Sequence, residues 1–297
     1  MIRVLVCSAL LGLSALHAAK AEEPPAPMTP ELCLSGWQSF NFLIGTPPRL
    51  RAIQPNVTET GWCRIDRSFA DLRENDFASV EYRATGIEAA VKNRGVPLTF
   101  EADFQGISLV QGLKMDLGPG NENAMGALKI KAQRDPASFD FLIEKLLFDA
   151  EDLGSISLTA SGGGIDLKSL ERMQLTLGGM RLTSLVLDLD TTRDLSRALR
   201  PVIEEVASLR DWVQVLNRLP AEMFTAGSRD ALMRFARAMP AAKGTLTLRM
   251  QSETGLGLVQ IIGATMTLEE SGGRISDIAA AVEQLVTGST IDATWTP

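Results

Sequence analysis

Over residues 77–190, apolar and polar positions alternate. Val80, Tyr82 and Ala84 interleave with Glu81 and Arg83. Phe100, Ala102 and Phe104 interleave with Glu101 and Asp103, and Leu128 and Ile130 with Lys129 and Lys131. Ile156 and Leu158 sit among serines, Leu175 and Leu177 flank Thr176, and Leu185, Leu187 and Leu189 alternate with Val186, Asp188 and Asp190. A period of two places neighbouring side chains on opposite faces of a strand, so each segment predicts a strand with one buried face. Glycine-rich turns around Gly95, Gly118, Gly162 and Gly178 separate them, and an antiparallel meander is the simplest connection.

From residue 192 the period lengthens. Leu195, Leu199, Val202, Val206, Leu209 and Val213 recur at three- and four-residue steps, which is the apolar stripe of a helix. Pro201 is placed to kink that helix or to start a second one. A further amphipathic helix is expected over 228–239, strands over 244–251 and 257–268, a helix over 276–286 and a last strand over 290–295. Near the other end, Thr29-Pro30-Glu31 offers a capping hydroxyl and then proline at the first helical position, predicting a helix to about residue 44. A short strand over 62–65 follows it.

These patterns give an α+β fold: a long, twisted antiparallel β-sheet, amphipathic helices of residues 194–239 packed on one face, and a disulfide-tethered N-terminal helix. Alternation is imperfect at Ala78, Val80, Ala84 and Ile87, and again at Ile107, Leu109 and Val110. That leaves apolar groups for the face the helices do not cover. Val80, Ile107 and Leu109 are therefore the candidates to line an apolar groove.

The first 21 residues change the compartment. Arg3 is followed by an apolar run from Val4 to Leu16, and Ala19-Lys20-Ala21 is a small-x-small cleavage site. This is the layout of a secretory signal peptide cut after Ala21, which predicts a periplasmic or secreted protein. The organisation expected is a leader over 1–21, a tethered N-terminal segment over 22–68, an antiparallel β region over 69–191 and a helical and β C-terminal region over 192–297 that forms one compact unit with the β region. Cys7 and His17 fall in the leader, so the processed chain keeps two cysteines, Cys33 and Cys63, and no histidine. In an oxidising compartment that pair predicts a disulfide.

Charge and composition narrow the partners. The full chain carries −7; without Arg3 and Lys20, 27 basic residues face 36 acidic ones, a balance of −9. An acidic chain with no dense basic patch is poorly suited to nucleic acid. No later apolar run is long enough for a transmembrane segment. Without histidine, His-dependent triads and His metal ligands are absent, and no cofactor or metal is expected. Asp188, Asp190 and Asp194 with Glu204 and Glu205 could suggest a cation site, but a strand with Leu185, Leu187 and Leu189 inward must carry polar groups outward. Lys168-Ser169 lacks the spacing of a serine–lysine hydrolase, and Gly162-Gly163-Gly164 lacks the Lys-Ser/Thr of a phosphate loop.

The segments Val96-Pro97-Leu98-Thr99-Phe100, residues 153–160, residues 173–182 and Leu185-Val186-Leu187-Asp188-Leu189-Asp190, leading into a helix, resemble AsmA-like and related uncharacterised bacterial periplasmic β-rich envelope proteins. The resemblance covers about residues 77–200 and implies lipid handling or envelope homeostasis. The membrane anchor and great length typical of that set are missing here. Together these observations predict a non-catalytic exported protein binding a lipid or other apolar ligand, or an envelope partner. The alternatives are a carboxylate-only enzyme such as a glycosidase, and a purely structural envelope scaffold.

Overall fold

The structure, a computed structural model, describes residues 27–43, 55–66, 77–109, 124–150, 152–206, 208–270 and 274–297. The expected leader and the turn at Gly118 lie outside them. The described residues form an α+β fold around one open ten-stranded sheet. Its strands are β1 (Asn56–Val57), β2 (Cys63–Asp66), β3 (Ser79–Thr85), β4 (Thr99–Ser108), β5 (Met125–Arg134), β6 (Phe141–Ala150), β7 (Gly154–Gly163), β8 (Arg181–Asp190), β9 (Thr245–Gly257) and β10 (Ser289–Thr296). Each strand pairs antiparallel with the next in sequence order.

Helices fill the connections: α1 (Pro30–Leu43) before the sheet, α2 (Ile87–Asn93) between β3 and β4, and α3 (Leu170–Thr176) between β7 and β8. Then α4 (Leu195–Val206), α5 (Leu209–Arg218) and α6 (Ser228–Ala238) precede β9, while α7 (Leu258–Glu270) and α8 (Ile275–Val286) precede β10. Backbone helix runs through Pro201, and the new helix starts instead at Leu209, where the Ser208 hydroxyl accepts from the Asp211 N–H at 3.2 Å. Two segments expected as strands are helical. Residues 258–268 are α7, docked along α8 by Gln260, whose Nε2 donates to the Gln284 carbonyl at 2.6 Å. The segment around Leu175 is α3, opened by Ser169, whose hydroxyl accepts the Arg172 N–H at 3.3 Å. Capping and helix–helix packing outweigh the β-branched, alternating composition there.

Cross-strand register shows that one face of the sheet is apolar from end to end. One row runs Tyr82, Ala102, Ile130, Leu146, Leu158, Leu187, Leu248, Ala293. The neighbouring rows pass through Leu128, Phe148, Ile156 and Leu189 on one side and Ala132, Ile143, Ala160 and Leu185 on the other. The opposite face is charged. There Arg83 pairs with Glu101, Lys129 with Asp103, Lys131 with Glu144 and Arg249 with Asp292.

Both sheet edges are blunted. β1 is two residues long. Along β10 the Ile291 carbonyl accepts the Thr225 N–H at 2.9 Å, and the Ala293 N–H donates to the Ser228 hydroxyl at 2.9 Å. Satisfying the edge groups from within the chain removes a template for strand addition.

Candidate apolar ligand site

The apolar face is covered at its two ends by buried clusters, and its middle rows are half-buried among the described residues. At one end α1 lays Cys33 and Trp37 over Ile65, Val80, Tyr82 and Ala102. At the other, Phe235 and Met239 cover Leu246, while Met223 and Val286 cover Ile291. Along one margin α4 buries Leu195 and Ala198 against Leu109, Ala150 and Leu153. Between these clusters Leu146, Leu158, Leu185 and Leu187 are only half-buried, and Ile130 beside them packs against the α1 cluster. Among the described residues, Leu146, Leu158, Leu185 and Leu187 belong to none of the buried clusters. The result is a leucine-lined trough across β5–β8.

The trough leads toward a cavity of about 310 Å³ beneath α5, α6 and α8. Every lining residue is apolar, Trp212, Phe224, Leu232, Phe235, Leu248 and Met250 among them. Leu248 and Met250 are the direct cross-strand partners of Leu187 and Leu185, so the cavity wall continues the trough floor. Its volume falls at the low end of small-molecule sites, about 300–1,000 Å³.

This corrects the expected groove. Val80 and Leu109 are both fully buried, Val80 under α1 and Leu109 under α4, and neither can line an open surface. Ile107 is partly buried against the α1 cluster, beyond a β-bulge between Phe104 and Ile107. The face opposite the helices carries the ion pairs, and the open apolar surface is on the same face as the helices. The period of the strands identified an apolar face but carried no information on how far the helices extend over it. Leu158 and Leu187 alternated as plainly as Val80 did, and what distinguishes them is which helix reaches them.

A wider concavity of about 720 Å³ lies at the far ends of β5–β8, lined by Arg134, Asp135, Asp140, Gly163 and Arg181 among others. Several of its charges serve the fold. Arg134 Nε donates to the Val96 carbonyl at 2.7 Å, Arg181 donates to the Thr254 carbonyl at 3.2 Å, and Asp135 accepts from the Ala137 N–H and the Ser138 hydroxyl. Asp188 and Asp190, weighed as cation ligands, accept from the Thr247 hydroxyl and the Thr192 N–H. Among the described residues no three histidine, cysteine, aspartate or glutamate side chains gather as a metal site.

Asp166 fastens the chain that crosses from β7 to α3. The Val96 N–H donates to the Leu167 carbonyl, and the backbone at Lys168 lies so close to Gly95 that a Cβ there would meet its carbonyl oxygen at 2.2 Å. Burial pushes the Asp166 carboxyl up, but the Arg172 guanidinium at 2.9 Å and the Lys168 N–H at 3.0 Å outweigh it and hold the pKa below the ordinary value. A carboxyl depressed on folding stabilises above its unfolded pKa, near 3.9, and the contribution is lost as pH falls through the folded value. Asp166→Asn is therefore expected to melt below the parent protein at pH 6–7, with the gap closing as pH falls below about 4. A gap that widens with acid would contradict this assignment.

No family model, curated protein or solved structure matches the chain. Among the described residues no helix is long and apolar enough to cross a membrane.

Proposed function

We propose that this is an exported, non-catalytic binding protein whose ligand is the acyl chain of a lipid. The observation that carries the reading is the half-open trough of Ile130, Leu146, Leu158 and Leu187, continuous through Leu248 with a wholly apolar cavity. A linear, uncharged chain fits a long floor of leucine rows ending in an apolar recess. Apolar area removed from water on both sides drives its entry. An exported setting is supported by the leader pattern of residues 1–21 and by a disulfide of the kind that persists in oxidising compartments.

The test is displacement. A naphthalene-sulfonate dye that fluoresces in apolar surroundings should bind the processed chain, and a long-chain fatty acid should displace it. Native mass spectrometry of freshly purified protein should show a co-purifying lipid. If the dye does not bind, or fatty acid fails to displace it, the lipid reading falls and the scaffold reading is left.

A further inference from the structure

We propose that α7 and the turn preceding β8 form a surface that docks the protein on a neutral lipid bilayer, a step that rests on the acyl-chain reading and names where the ligand is collected. Five of the seven large apolar side chains exposed among the described residues are gathered there: Leu175, Leu177, Val259, Ile262 and Met266. Leu175 and Val259 are the most open, at 85% and 74%. Val259, Ile262 and Met266 fall at i, i+3 and i+7, one stripe of α7. The opposite side of the helix is fixed, with Ala264 buried and Gln260 bound to the Gln284 carbonyl of α8. The Leu258 N–H donates to the Met180 carbonyl at 3.3 Å, tying the start of α7 to the turn that carries Leu177.

Size and charge select the occupant. The five side chains expose on the order of 500 Å² together, near the upper size of a patch on a monomer and well below the roughly 800 Å² per partner of a standard protein interface. A second copy is therefore disfavoured. No lysine or arginine lies within α7, whose only charges are Glu269 and Glu270 at the last turn, and beside Leu175 and Leu177 Arg172 is paired with Asp166 while Arg181 donates to the Thr254 carbonyl. The processed chain is acidic overall. Docking then proceeds by apolar insertion and gains nothing from anionic lipid. The location suits loading, because α7 packs along α8, and Val282 and Val286 of α8 line the cavity.

Flotation of the full processed chain with phosphatidylcholine vesicles tests this. The protein should float with the vesicles, and added anionic lipid should not raise the bound fraction. Val259→Glu with Ile262→Glu should lower vesicle binding about tenfold or more, since each tenfold is only about 1.4 kcal/mol of lost apolar burial. Leu175→Glu, on an almost fully exposed side chain, should act in the same direction with an unchanged melting temperature. Dye binding in the trough should be intact in all of these variants. Absence of flotation, binding that survives both sets of substitutions, binding that depends on anionic lipid, or a parent dimer that the substitutions dissociate would each overturn the docking surface. Flotation without dye displacement would instead sink the acyl-chain site and leave the docking surface standing.

Discussion

Leu158→Asp is expected to abolish acyl-chain binding in a protein that still folds, whereas Leu109→Asp is expected to leave no folded protein. The two leucines belong to the same apolar face and differ in cover. Leu158 is half-buried in the floor of the trough, with Leu146 and Leu187 as its cross-strand neighbours. A carboxylate there keeps a route to water while standing where the ligand would lie. Losing one leucine's share of apolar contact, about 1.5–3 kcal/mol, corresponds to roughly 10- to 150-fold in affinity before the cost of desolvating the charge is added. Leu109 is fully enclosed with Ala150, Leu153, Leu195 and Ala198. Truncating such a leucine to alanine alone costs about 2–5 kcal/mol, and a charge adds the penalty of an unpaired buried ion. Against a total stability of about 5–15 kcal/mol, that is enough to unfold a domain. Dye titration and thermal melts on Leu158→Asp, Leu158→Ala and Leu109→Ala check the contrast. A folded Leu109→Asp protein with weakened dye binding would restore Leu109 to the site and refute the trough as drawn.

The fold was readable where each strand keeps its period unbroken. β3, β5 and β7 alternate cleanly, as do β4 up to its bulge after Phe104 and β8 from Ser184 onward, and the registers of these stretches put their alternating apolar residues on one face. β6 was hidden by its own irregularity. Register shifts between Ile143 and Leu146, so Phe141 and Ile143 share the apolar face with Leu146 and Phe148 although the spacing changes parity between them. A bulge of this kind moves every later side chain by one, and the text Phe-Leu-Ile-Glu-Lys-Leu-Leu-Phe then matches neither template. α7 failed for a different reason. Leu258, Val259, Ile261 and Ile262 favour strands by composition, but docking on α8 decides their conformation. The cavity could not be found from local pattern at all. Trp212, Phe235 and Leu248 come from α5, α6 and β9, three elements whose meeting is fixed only by tertiary packing.

Reducing the Cys33–Cys63 bridge is expected to release α1 from the sheet while the C-terminal helices stay folded. The bridge spans a sequence separation of 30 and joins α1 to β2, with both cysteines completely buried. Closing a loop of that length stabilises by about 3–4 kcal/mol in the chain-entropy model. The loss would fall locally, because the core is divided. The α1 cluster of Trp37, Phe77, Val80 and Tyr82 is distinct from those beneath α6 and α8. The chain carries its own reporter, since Tyr82 is its only tyrosine. Its hydroxyl donates to the Cys33 carbonyl, and burial raises its pKa above the ordinary tyrosine value. A phenol raised on folding favours the native state below its unfolded pKa, near 10, and that contribution is lost as pH rises beyond it. In the oxidised protein, the alkaline absorbance change of Tyr82 should therefore appear well above pH 10. In Cys33→Ser with Cys63→Ser it should move down toward the free value of about 10, as α1 opens and the ring meets water. Amide exchange should quicken along Pro30–Leu43 and β2, and remain slow in α8. An unchanged tyrosine titration in the double-serine variant would show that packing alone holds α1 on the sheet, and a loss of protection spread evenly to α8 would show that the separate clusters unfold as one.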